Sequence, residues 1–261
     1  MTVEITVGAD GVAQLLLNRP DHANTIDLAT ARELLQVAND LHSHGGVRAV
    51  VLTGAGRRFC AGGDLHSFDG VDGDLGHHLE ELTSHLHAAI VRLHALDAPL
   101  VAGVHGVAAG AGFSLACGAD LLVAGSETTF VLAYAGVGLT PDAGGSWFLP
   151  RLVGLGRALD LALTNRTISA HEAEAWGLVT RVVPEADVAA AALELARGLA
   201  DGPVRALASA KRLLHASLGN SLAGQLADET RRLGAAARTA EGREGVAAFA
   251  QRRPPVFRTS T

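Results

Sequence analysis

Gly138-Leu-Thr-Pro-Asp-Ala-Gly-Gly145 places one carboxylate, Asp142, at a turn between an apolar segment and a predicted helix. Two other glycine-rich turns, Phe59-Cys-Ala-Gly-Gly-Asp-Leu65 and Gly106-Val-Ala-Ala-Gly-Ala-Gly112, precede it along the chain. Small side chains at such turns leave backbone N–H groups open to a ligand oxygen. Together the three segments indicate an acid/base site that faces an oxyanion hole.

Strands and helices alternate around these turns. Asp10-Gly11 between two short apolar segments is typical of a β-hairpin. Asp27 is the predicted N-cap of a first long helix, and leucines at helical spacing predict a second one over residues 79–93. Buried strands at residues 47–53 and 100–104 each run into a glycine turn, and residues 68–76 are predicted as a surface loop beside the first turn.

The last third of the chain is predicted to be helical. Residues 186–199, 204–218, 222–233 and 241–251 carry helical patterns, separated by Gly202-Pro203 and Gly219-Asn220. We therefore predict an α/β core over residues 1–195 and a helical region over residues 196–261.

Composition narrows the classes of function. The 261 residues are 48% hydrophobic and carry a net charge of −6 without a basic run, so neither nucleic acid nor an anionic membrane is an expected partner. The two cysteines, Cys60 and Cys117, lack disulfide or metal spacing and fit a reducing cytoplasm. Residues 101–125 are nearly all apolar or small, but His105 and Asp120 interrupt them, which favours buried strands and a short helix over a membrane span.

Two kinds of site are not favoured by spacing. The 12 histidines form no metal-binding motif, so no metal is predicted. A dinucleotide-binding turn is also excluded, because Phe59 and Leu115 stand where its third small residue is required.

Residues 53–65, 106–115 and 138–145 resemble, in order and spacing, the successive motifs of the crotonase superfamily, the enoyl-CoA hydratases and isomerases. Asn18-Arg-Pro20, residues 163–179 and the tail at residues 244–249 match as well, so the resemblance covers the chain. Within the superfamily the chain is most similar to 1,2-epoxyphenylacetyl-CoA isomerases and related enoyl-CoA isomerases. Residues 163–179 also resemble 4-chlorobenzoyl-CoA dehalogenase.

The resemblance implies an α/β fold with a crotonase-like β-β-α spiral core and a C-terminal helical region that packs at a trimer interface. A homotrimer or a dimer of trimers is then expected, with an acyl-CoA thioester as substrate and no cofactor beyond the coenzyme A of that substrate. By motif position, the N–H groups of Gly63 and Ala111 would hold the oxygen of a thioester enolate. Ala23, Ala61 and Leu65 would contact the adenine end of coenzyme A.

The chain departs from the hydratases at their two glutamates, where it has Ser114 and Tyr134. Hydroxyl groups with a pKa near or above ~10 are poor proton acceptors, so hydration is disfavoured and Asp142 is left as the single base of an isomerase. Within the substrate site, Tyr134 is predicted to form a wall of the acyl pocket, with a core position and a proton donor as the alternatives, and Ser114 is predicted to fill the space of a missing glutamate. Asp64 is predicted to hold its own turn.

Several alternatives stay open. Asp142 after Pro141 is also a favoured helix N-cap, with no role in chemistry. The chain could instead be an enoyl-CoA hydratase, a dehalogenase-like hydrolase in which Asp142 is the nucleophile, or a CoA-binding protein that has lost its chemistry.

Overall fold

A computed structural model of the chain describes residues 1–69 and 73–258. The strands in this part are β1 (Val3–Val7), β2 (Val12–Leu17), β3 (Ala49–Gly54), β4 (Leu100–Val104), β5 (Val107–Ala109), β6 (Leu121–Gly125), β7 (Thr129–Val131), β8 (Ile168–Ser169) and β9 (Arg181–Val183). The helices are α1 (Leu28–Ser43), α2 (Leu65–Asp69), α3 (Leu75–His94), α4 (Ala111–Cys117), α5 (Gly145–Val153), α6 (Leu155–Thr164), α7 (Ala170–Ala175), α8 (Val188–Asp201), α9 (Val204–Ser217), α10 (Leu222–Ala237) and α11 (Ala240–Ala250).

The strands form two sheets. The larger sheet has the order β1-β2-β3-β4-β6-β9, and all its pairs are parallel except the antiparallel hairpin of β1 and β2. The predicted hairpin at Asp10-Gly11 is therefore confirmed. The smaller sheet, of order β5-β7-β8, consists of strands of two or three residues that lie beside the glycine turns.

Alternation of side chains along the parallel strands divides the core between two faces. Leu15, Val50 and Leu52 point into a large cluster that also contains the apolar faces of α1 and α3. Val51 and Val101, one residue out of phase, pack on the other side. There the stripe Ala192, Ala196 and Ala200 lets α8 lie close to the sheet.

The apolar stretch at residues 101–125 folds as β4, β5, α4 and β6, so the prediction of buried strands and a short helix is confirmed. Across the described residues, no helix is both long enough and apolar enough to cross a membrane.

The surface loop predicted at residues 68–76 is shorter than expected. Phe68 belongs to α2, and α3 already begins at Leu75. The Asp74 carboxylate caps α3 by accepting hydrogen bonds from the N–H groups of Gly76 and His77, which explains the early start. Residues 70–72, also within the predicted loop, lie outside the described residues.

The helical region follows the predicted pattern closely, because α8 to α11 begin and end within a few residues of the predicted bounds. Helix α8 runs continuously through residue 195, so the division drawn there falls inside a helix that packs on the sheet. Helices α9, α10 and α11 follow beyond Gly202.

Candidate active site

The first two glycine turns lie side by side. Strand-like pairing joins them, with the N–H of Ala109 donating to the carbonyl of Cys60 at 2.9 Å. Gly62 adopts φ +100°, and a Cβ at that position would lie 2.9 Å from the carbonyl oxygen of Ala109. Glycine tolerates the positive φ and has no Cβ to collide with this oxygen, so a glycine at position 62 allows the two turns to pack against each other.

The N–H groups of Gly63 and Ala111 are available on these turns. Ala111 is the first residue of α4, where an N–H has no carbonyl partner within its own helix. Among residues 1–69 and 73–258, neither N–H donates a hydrogen bond. The two donors predicted for an oxyanion hole therefore lie on adjacent turns with their hydrogens free.

Both residues line a cavity of about 270 Å³. The cavity is also lined by the apolar side chains of Leu79, Leu82 and Leu86 of α3 and by Phe68, whose ring lies close to Gly63. Asp142 lies on the same cavity. A largely apolar cavity with a few convergent polar groups is the usual form of a small-molecule site.

Asp142 follows a 3-10 turn, Tyr134–Val137, and precedes α5. Within the described part of the chain no side chain caps α5, whose N-cap is Gly144, so the interpretation of Asp142 as a helix cap is wrong. The Asp142 carboxylate accepts a hydrogen bond from the hydroxyl of Tyr134 instead.

Burial raises the pKa of the Asp142 carboxyl, while the Tyr134 hydrogen bond offsets only part of this effect. Burial and the adjacent carboxylate also raise the pKa of Tyr134, so its hydroxyl stays protonated and donates. A carboxylate with a raised pKa is better matched to proton abstraction near neutral pH than an ordinary aspartate.

His87 is a residue of the site that the sequence interpretation missed. Its Nε2 accepts a hydrogen bond of 3.1 Å from the N–H of Ala143, the residue after Asp142. The sequence contains one signal for it, because His87 follows Thr83 by four residues and so lies near the face of α3 that lines the cavity. That signal does not indicate a partner 56 residues away.

The other predicted residues divide into two groups. Ala61, Leu65 and Tyr134 line the cavity. Ala23 and Ser114 stand behind it: the carbonyl of Ala23 accepts from the N–H of Ala61 at 3.0 Å, and the hydroxyl of Ser114 lies 3.2 Å from that of Tyr134.

Asp64 also lies behind the cavity wall, buried next to Gly63. Burial raises its pKa, but a hydrogen bond of 3.0 Å from Arg19 and the charge of that guanidinium outweigh the effect, and the net shift is downward. The same guanidinium contacts Asp27, the cap of α1, at 3.1 Å. Asp64 thus ties the first glycine turn to the segment before α1.

Comparisons with known proteins identify relatives of this chain. The family model described as Enoyl-CoA hydratase/isomerase matches residues 8–260. A protein named "Probable enoyl-CoA hydratase" from Rhodobacter capsulatus is 40% identical over 95% of both chains, and 1,2-epoxyphenylacetyl-CoA isomerase from Escherichia coli is 39% identical over 95% of both. The crystal structure of an enoyl-CoA hydratase from Polaromonas sp. JS666 superposes with a TM-score of 0.93 at 34% identity, covering 98% of this chain and 99% of that one. The crotonase-like fold class predicted from the motifs is confirmed.

Proposed function

Because this chain belongs to the enoyl-CoA hydratase/isomerase family, we propose that it is an acyl-CoA isomerase in which Asp142 moves a proton between two carbons of its substrate. The product would carry a shifted double bond or a rearranged epoxide. The observation that carries the proposal is the partly buried carboxylate of Asp142, with its raised pKa, on a cavity that also presents two N–H groups without a partner among the described residues.

The chemistry follows from the thioester. Removal of the proton next to the carbonyl places negative charge on the carbonyl oxygen, and the N–H groups of Gly63 and Ala111 would stabilise that charge. Each such donor is worth on the order of 10²-fold or more in rate. Asp142 would accept the proton and return it to another carbon, so no second base is required.

Asp142 has one competitor for the role of base. Among the described residues that line the cavity, the other carboxylate is Glu80, which is exposed on α3. Burial raises the pKa of Asp142 and so makes its carboxylate a stronger proton acceptor than an ordinary aspartate.

Contacts to the coenzyme A portion are proposed for the backbone of Ala23, Ala61 and Leu65. The Ala61 N–H is already bonded to the carbonyl of Ala23, but within the described residues its own carbonyl accepts no backbone hydrogen bond. That carbonyl is free to accept from an amino group such as that of adenine.

A hydratase is the second candidate, since the name of the Rhodobacter capsulatus relative refers to that activity. Ser114 and Tyr134 argue against it, because neither hydroxyl can deprotonate a water and the two are hydrogen-bonded to each other. We therefore expect crotonyl-CoA to be hydrated very slowly or not at all. Robust hydration by a preparation free of host enzymes would favour the hydratase.

The decisive experiment replaces the base. Asp142→Asn keeps the size of the side chain and its acceptor oxygen for Tyr134, but removes the proton-accepting charge. We expect the variant to fold and to bind acyl-CoA thioesters, while isomerisation falls by about 10²- to 10⁴-fold and exchange of the substrate's α-proton with solvent is lost. The measurement is turnover across a panel of CoA thioesters, with exchange followed by NMR.

Retained α-proton exchange in a well-folded Asp142→Asn variant would assign the base to another residue. If the wild-type protein turns over no thioester, and the Asp142→Asn variant binds thioesters as tightly as the wild type does, the chain would instead be a CoA-binding protein without catalytic activity.

A further inference from the structure

Three side chains from separate segments form a hydrogen-bonded chain that ends at Asp142. Ser114 lies on α4, Tyr134 on the 3-10 turn, and Asp142 before α5. The Ser114 Oγ is 3.2 Å from the Tyr134 hydroxyl, which in turn bonds to Oδ1 of Asp142. Ser114 is fully buried and Tyr134 is 9% exposed, so water has little access to the chain.

The chemistry of these groups fixes the direction of the hydrogen bonds. An ionised carboxylate can only accept hydrogen bonds, so the Tyr134 hydroxyl must donate its single hydrogen to Asp142. The tyrosine oxygen is then left as an acceptor, and Ser114 must donate to it. The order is Ser114 to Tyr134 to Asp142.

The surroundings hold this order in place. Helix α5 begins with Gly145, and a Cβ at that position would collide with the Ser114 hydroxyl. Close packing there leaves the hydroxyl little room to turn away from Tyr134. Among residues 1–69 and 73–258, no side chain other than that of Tyr134 donates a hydrogen bond to the Asp142 carboxylate, which lines the cavity.

We propose that Tyr134 and Ser114 are positioning residues: their hydrogen-bond chain holds one oxygen of Asp142 so that the other faces the substrate. Ser114 acts only through Tyr134. The catalytic meaning of this arrangement rests on the proposed function, but the hydrogen-bond chain belongs to the protein without substrate. The two positions at which the hydratases carry glutamates thus serve here to orient a base from a third position.

The proposal predicts a specific pattern of proton affinities. A hydrogen bond to the charged form of a carboxylate lowers its pKa, so loss of the Tyr134 hydroxyl should raise the pKa of Asp142. Loss of the Ser114 hydroxyl should raise it less, because only the donor strength of Tyr134 changes. Among the described residues, the other titratable groups near Asp142 are His87 on α3 and Cys60 on the first turn, and Glu80 lines the same cavity. The substitutions leave all three in place.

The test is a pH titration of the substrate-free, full-length protein, followed by the infrared band of the protonated Asp142 carboxyl. Asp142→Asn identifies that band by its loss. We expect Tyr134→Phe to move the midpoint to higher pH, Ser114→Ala to move it less in the same direction, and the double variant to match Tyr134→Phe. Thr83→Val is the matched control. The Thr83 hydroxyl also lies at this cavity, but it donates its hydrogen bond within its own helix, to the carbonyl of Leu79. Its removal should therefore leave the midpoint unchanged.

Turnover provides a second readout. In an active enzyme, Tyr134→Phe should lower kcat roughly tenfold or more with little change in KM, since the ring remains and only the orientation of the base is lost. An unmoved midpoint in Tyr134→Phe would overturn the proposal, as would an equal effect of Ser114→Ala in the wild-type and Tyr134→Phe backgrounds. If Tyr134→Phe does not fold, an unmoved midpoint in Ser114→Ala overturns it.

These outcomes are separable from the proposed function. If the wild-type protein isomerises no thioester, the proposed function fails while the titration midpoints still report on the hydrogen-bond chain. If isomerisation is present and the midpoints do not move, the positioning role fails alone.

Discussion

At the scale of single residues, Asp142 combines a functional asset with a cost in stability. Its pKa is raised in the folded chain, chiefly by burial, so the folded state binds a proton more tightly than the unfolded state does. The stability from this group is fully present below the unfolded pKa of about 3.9 and is lost as the pH rises through the raised folded value. At neutral pH the buried charge therefore destabilises the fold.

The same substitution that removes the base should accordingly stabilise the protein. We expect Asp142→Asn to raise the free energy of unfolding at neutral pH by about 1 kcal/mol, the usual size of such gains at active sites. The gain should disappear below pH ~4, where the wild-type carboxyl is protonated in both states. Urea unfolding of the wild type and of the variant, at neutral pH and below pH ~4, measures this gain in unfolding free energy. A variant less stable than the wild type at neutral pH would refute the argument.

How far the sequence predicts the site also becomes clear at this scale. Asp142 could be selected because a carboxylate beside glycine-rich turns has chemical meaning, whereas Gly63 and Ala111 were expected from the resemblance of their motifs to those of the crotonase superfamily. The bond between Tyr134 and Asp142 could not be predicted, because a tyrosine among apolar neighbours is compatible with a pocket wall as well. His87 was missed for a related reason, since its partner at Ala143 is brought near only by the fold.

At the scale of elements, the long helices and strands were predictable from their patterns, whereas the strands of the smaller sheet were not. Helices such as α3 and α10 repeat their apolar positions over several turns, and strands such as β3 are long enough to show burial. Strands β5, β7 and β8, of two or three residues each, have no period to detect. They form because the neighbouring glycine turns bring them together, which is a property of the assembled core.

Docking of α9 onto this core depends on a buried ion pair. Lys211 of α9 contacts Asp120, just before β6, at 2.7 Å, and their side chains are 9% and 16% exposed. Asp120 also accepts hydrogen bonds from the N–H of Leu100 at 2.8 Å and contacts His215 at 3.3 Å. Burial raises the pKa of Asp120, but these contacts outweigh it and the net shift is downward.

Breaking this pair from one side should be costly. Lys211→Met leaves the Asp120 charge buried without its main partner, and we expect a loss of about 3 kcal/mol in unfolding free energy. The double variant Asp120→Asn/Lys211→Met should recover much of the loss, because no unpaired charge remains. Since the pKa of Asp120 is lowered, the stability it contributes is present above its unfolded pKa and is lost as the pH falls through the folded value.

Chemical denaturation of the two variants across acidic and neutral pH tests this expectation. Lys211→Met should be weakened most at neutral pH and approach wild type in acid. Equal stability of the wild type, the single variant and the double variant at neutral pH would show that α9 is held by apolar packing alone.

At the scale of the whole molecule, the helical region leaves several large apolar side chains exposed. Leu222, Leu226 and Leu233 share one face of α10, and the first and last of them are 74% exposed. Phe249 on α11 is 87% exposed. Apolar side chains repeated along one helix face, rather than scattered singly, indicate a surface that is covered by another chain.

We expect this surface to hold copies of the chain together, as a homotrimer or a dimer of trimers. Sedimentation should give a mass three or six times the 26.7 kDa of one subunit. Leu226→Glu/Leu233→Glu should shift the distribution toward the single subunit, because two carboxylates cannot be buried at an apolar contact without a large desolvation cost. Ala227→Glu is the control matched to the single variant Leu226→Glu, since it adds the same charge to α10 about 100° away from Leu226. A wild-type protein that sediments only at 26.7 kDa would show that the leucine face stays in water, and equal dissociation by Ala227→Glu would place the contact on another face of the helix.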